Sequence, residues 1–171
     1  MHSEAETFTV SKGLKVKWKG IFDFNDLYRK MKFWLDFQGY GNEKSNFKEE
    51  KYIERIKGNS KNLEIRWKGE KNVSDYFSFV ITITFLVIGL SEIEIENEGK
   101  KLPMNKGEVE IKFTAELVKN RSGKWKKDSW LRSFYERFVV RDRIENYKIE
   151  LYKKLYSFHD EVKAYLEIHE F

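Results

Sequence analysis

The sequence predicts an α+β domain, a curved antiparallel sheet of about 5–7 strands packed on an N-terminal helix and a long C-terminal helix or helix pair. Apolar and charged residues alternate along most of the chain up to Leu117, which is typical of strands with one buried face. From Trp130 onward the apolar residues recur every three or four positions, as in an amphipathic helix. The length of 171 residues, without a linker or repeat, predicts a single domain over 1–171.

The N-terminal part predicts a strand, or a strand pair around Gly13, followed by a helix. Leu14, Val16 and Trp18 alternate with lysines, so one face is expected to be buried. Asp23 is a suitable N-cap for the helix, which we expect to end at Gly39 because glycine favours the position after the last turn.

Several further strands are predicted in the middle of the chain, where isoleucine, valine and phenylalanine alternate with lysine and glutamate. The clearest segments are residues 47–57, 63–67, 76–90 and 109–117. Turns are expected at 58–60, 97–99 and 103–107, where glycine, asparagine or proline interrupts the alternation. The interleaved lysines and glutamates favour one solvent-facing sheet surface with cross-strand ion pairs.

The C-terminal part predicts a basic helical segment, 119–143, followed by an amphipathic helix, 144–169. One continuous helix over 129–169 would be about 60 Å long, which is unusual in a single domain. We therefore expect a break or bend near 139–143, where the β-branched pair Val139 and Val140 weakens the helix. The apolar seam of the last helix fits the core of the domain or, alternatively, contact with a second copy. It comprises Leu151, Leu155, Phe158, Val162 and Tyr165.

Composition excludes several classes of protein. The chain has no cysteine, which excludes disulfides, thiol nucleophiles and cysteine-based zinc sites. The first residues include Glu4 and Glu6 and no apolar run, so no secretory signal is expected. The longest uncharged stretch, 76–91, is shorter than the ~20 residues of a membrane-spanning helix. The cytoplasm is the expected location.

No pattern of catalytic or metal-binding residues is present. The sequence lacks Gly-x-Ser-x-Gly and the glycine-rich phosphate loops. Its histidines are His2, His159 and His169, and the last two lack the i, i+4 spacing of metal ligands on a helix. His159 and Asp160 are adjacent on a helix, where neighbouring side chains do not face each other. We expect no catalytic residue, metal or cofactor, and thus a non-enzymatic binding or self-assembling module.

Positive charge is concentrated in one segment. Residues 119–143 hold nine lysines and arginines against three carboxylates, and five of the eight arginines lie there. Aromatic residues are interleaved with these cations. The candidate partner patch comprises Lys124, Trp125, Lys126, Lys127, Trp130, Arg132, Arg137, Arg141 and Arg143.

The basic segment is open to several interpretations. Cations mixed with aromatic rings can neutralise phosphates and stack on nucleic-acid bases. An amphipathic helix with aromatic residues opposite Arg132, Arg137 and Arg141 can instead lie on an anionic membrane surface. In a third interpretation the aromatic residues belong to the core, and the arginines pair with glutamates of this chain or of a neighbour. A homo-oligomer or a protein partner is also expected.

Two resemblances add expectations about family and ligand. The stretches 64–70, 74–77 and 107–112 resemble small Lys/Glu-rich uncharacterised α+β proteins of archaeal genomes. The order of elements is similar to the helix-grip layout, in which a curved antiparallel sheet closes around a long C-terminal helix. That resemblance implies a pocket for a small apolar ligand, although the many large rings could also fill this space. The candidate lining comprises Trp34, Phe79, Ile81, Phe113 and Phe158.

Overall fold

A computed structural model describes residues 5–126 and 128–168 and has the predicted α+β architecture. The strands are β1 (Glu6–Phe22), β2 (Phe47–Lys57), β3 (Ser60–Asn72), β4 (Phe77–Asn97) and β5 (Lys100–Lys119). The helices are α1 (Phe24–Phe37), α2 (Trp130–Tyr135) and α3 (Arg141–Ile168), with a π-helical turn, Glu136–Val140, joining the last two. Within these described residues no helix is both long and apolar enough to cross a membrane.

The five strands form one open antiparallel sheet in the order β1-β5-β4-β3-β2. One row of the buried face runs across four strands, from Val16 through Ile111 and Phe85 to Ile65. All four of these side chains are buried. The apolar alternation therefore directs one sheet face into a common core with the helices.

The opposite sheet face carries the interleaved charges that the sequence predicts. Lys17 Nζ lies 3.1 Å from a carboxylate oxygen of Glu110 on the neighbouring strand. Farther along the sheet, Lys51 and Arg55 of β2 both pair with Glu64 of β3. Exposed pairs of this kind contribute little individually, so the charged face mainly keeps this sheet surface hydrated.

Helix α1 begins and ends where its sequence predicts. The backbone N–H of Asp26 donates to Asp23 Oδ1 at 3.0 Å, which caps the first turn. At the other end Gly39 adopts a φ of +89°, a left-handed conformation that favours glycine and stops the helix. Leu27 and Leu35 are buried on the side of α1 that faces the sheet.

The candidate apolar pocket between sheet and helix is occupied by its own side chains. Trp34 stacks on Phe158 with ring centroids 4.0 Å apart, and Phe113 meets Phe158 edge-on at 5.4 Å. Phe79 meets a tyrosine ring of α3 at 5.7 Å, and Ile81 is completely buried. These contacts fill the space around Phe79, Ile81 and Phe113, which differs from the pocket that the helix-grip resemblance implies. Trp34 and Phe158 line a groove of about 560 Å³ between α1 and α3.

The C-terminal helical region is one long helix, the first of the two expected forms, with a π-helical turn within it. Helical structure begins only at Trp130, so the first part of segment 119–143 is the end of β5 and a loop. In place of the break or bend expected near 139–143, the helix has the π-helical turn Glu136–Val140, which overlaps that region at Val139 and Val140. Arg132, Glu136, Val140 and Ile144 follow one another in steps of four and all face inward. An α-helix has about 3.6 residues per turn, so side chains four positions apart rotate gradually around the helix axis. The wider π turn offsets this rotation and keeps the four side chains on the inward side.

The hairpin of β4 and β5 extends beyond the rest of the sheet. Pairing with β3 ends at Ser91 and pairing with β1 ends at Asn105, which leaves residues 92–105 as a two-stranded ribbon. The turn predicted at 103–107 is wrong, because β5 continues through Pro103. The ribbon has no further neighbouring strand, so a residue without an N–H is tolerated there.

Candidate functional site

An exposed apolar surface lies on α2 and the π-helical turn, within the segment that the sequence marks as a partner patch. Trp130, Phe134 and Phe138 are 75%, 56% and 67% exposed. They recur every four residues, on the side of the helix away from the domain. Leu131 and Val139 extend the same surface and are also exposed. We call these five residues the α2–π face.

The opposite side of α2 is held to the sheet by a cluster of ion pairs. The Arg132 side chain is buried, and its guanidinium donates to Glu6 at 2.6 Å and to Glu136 at 2.8 Å. Lys119, at the end of β5, lies 3.0 Å from Glu6 and 3.2 Å from Glu136. The Tyr76 hydroxyl donates to Glu136 as well. Two cations and two carboxylates thus balance one another beneath the α2–π face.

The cluster perturbs the pKa of its members. A hydrogen bond from Lys119 holds the pKa of Glu6 below its ordinary value. Burial would raise the pKa of Glu136, but hydrogen bonds from Arg132, Tyr76 and Lys119 lower it overall. Burial, together with the bond to Glu136, raises the pKa of Tyr76. The carboxylates are therefore held ionised, as the buried cations require.

The loop before α2 is fixed by an aromatic cluster. Trp125 packs against Tyr76 and Tyr135, with ring centroids 5.8 and 5.1 Å apart. Asn120 donates through Nδ2 to the Trp125 carbonyl at 2.7 Å, and its own backbone has a φ of +53°. Both contacts hold the loop against the domain at the start of α2.

Exposed cations surround the α2–π face. Arg137, Arg141 and Arg143 are exposed, and the Arg137 guanidinium lies 5.7 Å from the Phe138 ring centroid. Lys124 and Lys126 are exposed before α2. The exposed carboxylates described in this segment are Asp128 and Asp142, so cations predominate around the apolar surface.

The structure divides the patch residues that the sequence selects. Trp130 is exposed at the start of α2, with the exposed Lys124 and Lys126 before it and the exposed Arg137, Arg141 and Arg143 farther along the helix. Trp125 belongs to the aromatic cluster of the loop and is 36% exposed. Lys127 lies outside the described residues.

Arg132 is the clear exception among the patch residues. The sequence places it with the outward arginines, but its side chain is buried and paired within the domain. The i, i+4 spacing of Arg132 and Glu136 could have indicated this pair. Glu6 and Lys119 are distant in sequence, so only the fold brings them to the cluster.

His159 supports the sheet edge. Its Nε2 lies 3.2 Å from the Lys15 carbonyl oxygen of β1, and its Nδ1 lies 2.9 Å from Asp160. The expectation that His159 and Asp160 do not meet is wrong, because both side chains bend toward each other on the helix surface. In residues 5–126 and 128–168 no three histidine or acidic side chains group as metal ligands would.

Comparisons with known proteins identify no family for this chain. No protein-family model matches the sequence, and a search of curated proteins finds no match. The resemblance to archaeal Lys/Glu-rich proteins therefore stays a prediction.

Proposed function

We propose that this protein is a non-enzymatic binding module that attaches to an anionic membrane surface through the α2–π face. The main support for this proposal is that all five residues of the α2–π face are exposed apolar side chains on one short stretch of helix. They are Trp130, Leu131, Phe134, Phe138 and Val139. Isolated exposed apolar residues are ordinary, but a contiguous patch of this kind is typical of an interaction site.

The composition of the face favours lipid over nucleic acid. Leu131 and Val139 can neither stack on bases like aromatic rings nor contact phosphates. Aromatic and aliphatic residues on one side of a helix, with arginines at the margin, are typical of helices that lie in the membrane interface. Arg137 and Arg141 are placed to reach anionic headgroups while the rings enter the acyl boundary.

The ion-pair cluster supports the same proposal. Arg132 and Lys119 neutralise Glu6 and Glu136, so the anchoring side of α2 contributes no net charge to the surface. The field that a membrane meets then comes from the exposed residues around the face, where cations outnumber the carboxylates of Asp128 and Asp142. A cytoplasmic location, which the sequence leads us to expect, would bring this face to the leaflet that is rich in anionic lipids.

Vesicle sedimentation tests the proposal. The full chain should bind vesicles of phosphatidylcholine with phosphatidylserine and bind poorly to phosphatidylcholine alone. Trp130→Ala/Phe138→Ala should weaken binding at least about 50-fold, since burying one ring of this size contributes about 1.5–3 kcal/mol. Arg137→Gln/Arg141→Gln should weaken binding about 30-fold at low salt, at about 1 kcal/mol for each cation.

The matched control is a second exposed aromatic pair on another element. Phe33 and Phe37 of α1 are 69% and 75% exposed, so Phe33→Ala/Phe37→Ala should leave vesicle binding unchanged. Equal loss in both aromatic variants would contradict a specific face. If the chain binds single-stranded or duplex nucleic acid and not vesicles, the face belongs to a nucleic-acid partner. If the chain dimerises and Trp130→Ala/Phe138→Ala abolishes the dimer, the face belongs to a second copy.

A further inference from the structure

A second surface lies between β1 and α3, on a part of the molecule that the proposed function does not use. Among the residues that the structure describes, β1 pairs with β5 alone and is therefore an edge strand. Beside its first half is a groove of about 610 Å³. The groove is lined by Thr7, Phe8, Thr9, Val10, Lys148, Ile149, Tyr152 and Lys153.

The groove exposes the backbone edge of a strand. Four consecutive residues of β1 line it, so the strand contributes its edge as well as its side chains. An edge strand carries N–H and C=O groups that point away from its partner and can pair with an added strand. Farther along β1 the same edge is covered, because His159 of α3 contacts the carbonyl of Lys15.

Two register shifts separate the covered and open stretches of β1. They lie between Thr9 and Ser11 and between Ser11 and Leu14. Bulges of this kind bend a strand and increase its twist. These shifts lie between Thr7–Val10, which line the groove, and Lys15, whose carbonyl His159 contacts.

The side chains of the groove indicate what kind of segment fits. Ile149 and Tyr152 are 52% and 44% exposed, and they line the groove together with Phe8 and Val10 of β1. One apolar side chain of an added strand would lie between these pairs. Lys148 and Lys153 line the groove as well, and none of the residues that line it is a carboxylate. Lys148 lies 5.2 Å from the Phe8 ring centroid and 3.3 Å from Glu145 just outside the groove, so Lys153 is the cation more available to a bound segment. The surface therefore favours acidic residues on either side of the apolar one.

We propose that an extended peptide segment of a partner protein binds here as an added strand on β1. In an added strand alternate residues face the same way, so those facing α3 would be acidic, apolar and acidic. Main-chain hydrogen bonds to the edge of β1 provide affinity, and the groove selects the side chains. A second copy of this chain fits less well, because residues 7–10 of β1 are Thr, Phe, Thr and Val and offer no carboxylate to the groove lysines.

Peptide selection tests the inference with random sequences as the probe. The full chain is used to select from a phage-displayed library of random peptides of about nine residues, long enough to form a strand. We expect enrichment of an apolar residue with aspartate or glutamate two positions away on each side. The best peptide should protect amides of Thr7–Val10 from hydrogen exchange, because an added strand pairs with that edge.

Variants of α3 distinguish the groove from other surfaces. Ile149→Glu should weaken the best peptide at least about tenfold, whereas Ile168→Glu, at a 78% exposed position elsewhere on α3, should not. Lys153→Glu should shift the selected flanking residue from acidic to basic. Both substitutions in the groove are at exposed positions, so folding should be retained.

Several outcomes would overturn the inference. The first is that no peptide is enriched on the parent protein relative to the Ile149→Glu protein. The second is that the enriched peptides are basic. The third is that a selected peptide binds without protecting the amides of Thr7–Val10 from exchange. If the same amides become more protected as the protein concentration rises, with no peptide present, the edge of β1 binds a second copy of this chain. Vesicle binding does not enter this test, so the groove and the α2–π face can fail independently.

Discussion

Arg132 and Arg137 belong to the same basic segment, yet their side chains lie in opposite environments. Arg132 is buried and shares Glu6 and Glu136 with Lys119, whereas Arg137 is exposed beside Phe138. Arginine can serve in both places because its planar guanidinium donates in several directions when buried and stays charged on the surface. At the scale of single residues, whether an arginine forms buried ion pairs or stays in solvent depends on the side of the helix on which it lies.

The buried cluster predicts a dependence of stability on acid pH. Folding lowers the pKa of Glu6 and Glu136 below the ordinary value of 4.5, so the folded state binds fewer protons. The stabilisation is complete above pH 4.5 and is lost as the pH falls through the folded pKa values. Glu136→Gln should reduce the free energy of unfolding at pH 7 by about 2–3 kcal/mol and flatten the acid dependence. Urea unfolding at several pH values measures both effects.

The control for this prediction is a carboxylate outside the cluster. Glu167 pairs only loosely with Lys163, at 3.9 Å, and is 57% exposed. Glu167→Gln should change the free energy of unfolding by less than about 0.5 kcal/mol and leave the slope against pH unchanged. The other carboxylates with a lowered pKa are present in both variants. The difference between their curves of unfolding free energy against pH therefore reports the contribution of Glu136. Equal slopes for Glu136→Gln and the parent protein would contradict the linkage.

The helical elements differ in what they bury. α3 buries Leu151, Leu155, Phe158 and Val162 against the sheet and α1. α2 is held mainly by the polar cluster and leaves its large apolar side chains in solvent. The π-helical turn joins two parts of one continuous helix. α3 packs against the core, whereas α2 exposes an apolar surface to solvent. Single π turns occur frequently at functional sites.

This division between elements predicts opposite results for two phenylalanines of the same helical region. Phe158 stacks on Trp34 and contacts Phe113, so Phe158→Ala should reduce the free energy of unfolding by about 3–5 kcal/mol. Phe138 is 67% exposed, so Phe138→Ala should change it by less than about 0.5 kcal/mol. Chemical denaturation followed by circular dichroism measures both. A large loss of stability in Phe138→Ala would show that the α2–π face is part of the core.

At the scale of the whole molecule, the sheet has a well-covered centre and a less supported end. β4 and β5 lie between other strands along most of their length, and both are covered on one face by helices. Their ends continue as the ribbon 92–105, which has no further strand beside it. A two-stranded ribbon without such support is only marginally stable by itself.

Native-state hydrogen exchange should reveal this asymmetry. Amides of 80–86, in the centre of β4, should exchange only through global unfolding, whereas amides of 94–102 should exchange through local opening. The ribbon amides should therefore respond weakly to low urea concentrations. Identical exchange free energies in the two stretches would mean that the ribbon unfolds only with the whole domain.

The sequence predicts much of the fold because its patterns are local. Alternation along β3, β4 and β5 identifies the buried face, and Asp23 and Gly39 mark the ends of α1 through interactions within a few residues. The turn predicted at 103–107 fails because Pro103 is tolerated in an edge of the ribbon, which depends on strand order. Local signals contain no information about which strands lack neighbours.

The candidate site is predicted only in part, for the same reason. The basic and aromatic composition of 119–143 marks the region that contains the α2–π face, but not the direction in which α2 faces. Aromatic residues on a helix ordinarily pack inward, and here Trp130, Phe134 and Phe138 face solvent. The orientation is set by Arg132, whose partners Glu6 and Lys119 come from β1 and β5.

The sequence by itself determined the α+β class, the solvent-facing charged side of the sheet and the place where positive charge accumulates, because these depend on residue type and spacing. The tertiary structure alone decided the strand order, the filling of the space between sheet and helix, and the two surfaces proposed as binding sites. Each of these depends on contacts between residues far apart in the chain. The α2–π face exists because a buried ion-pair cluster holds the polar side of α2 inward and leaves its aromatic side exposed.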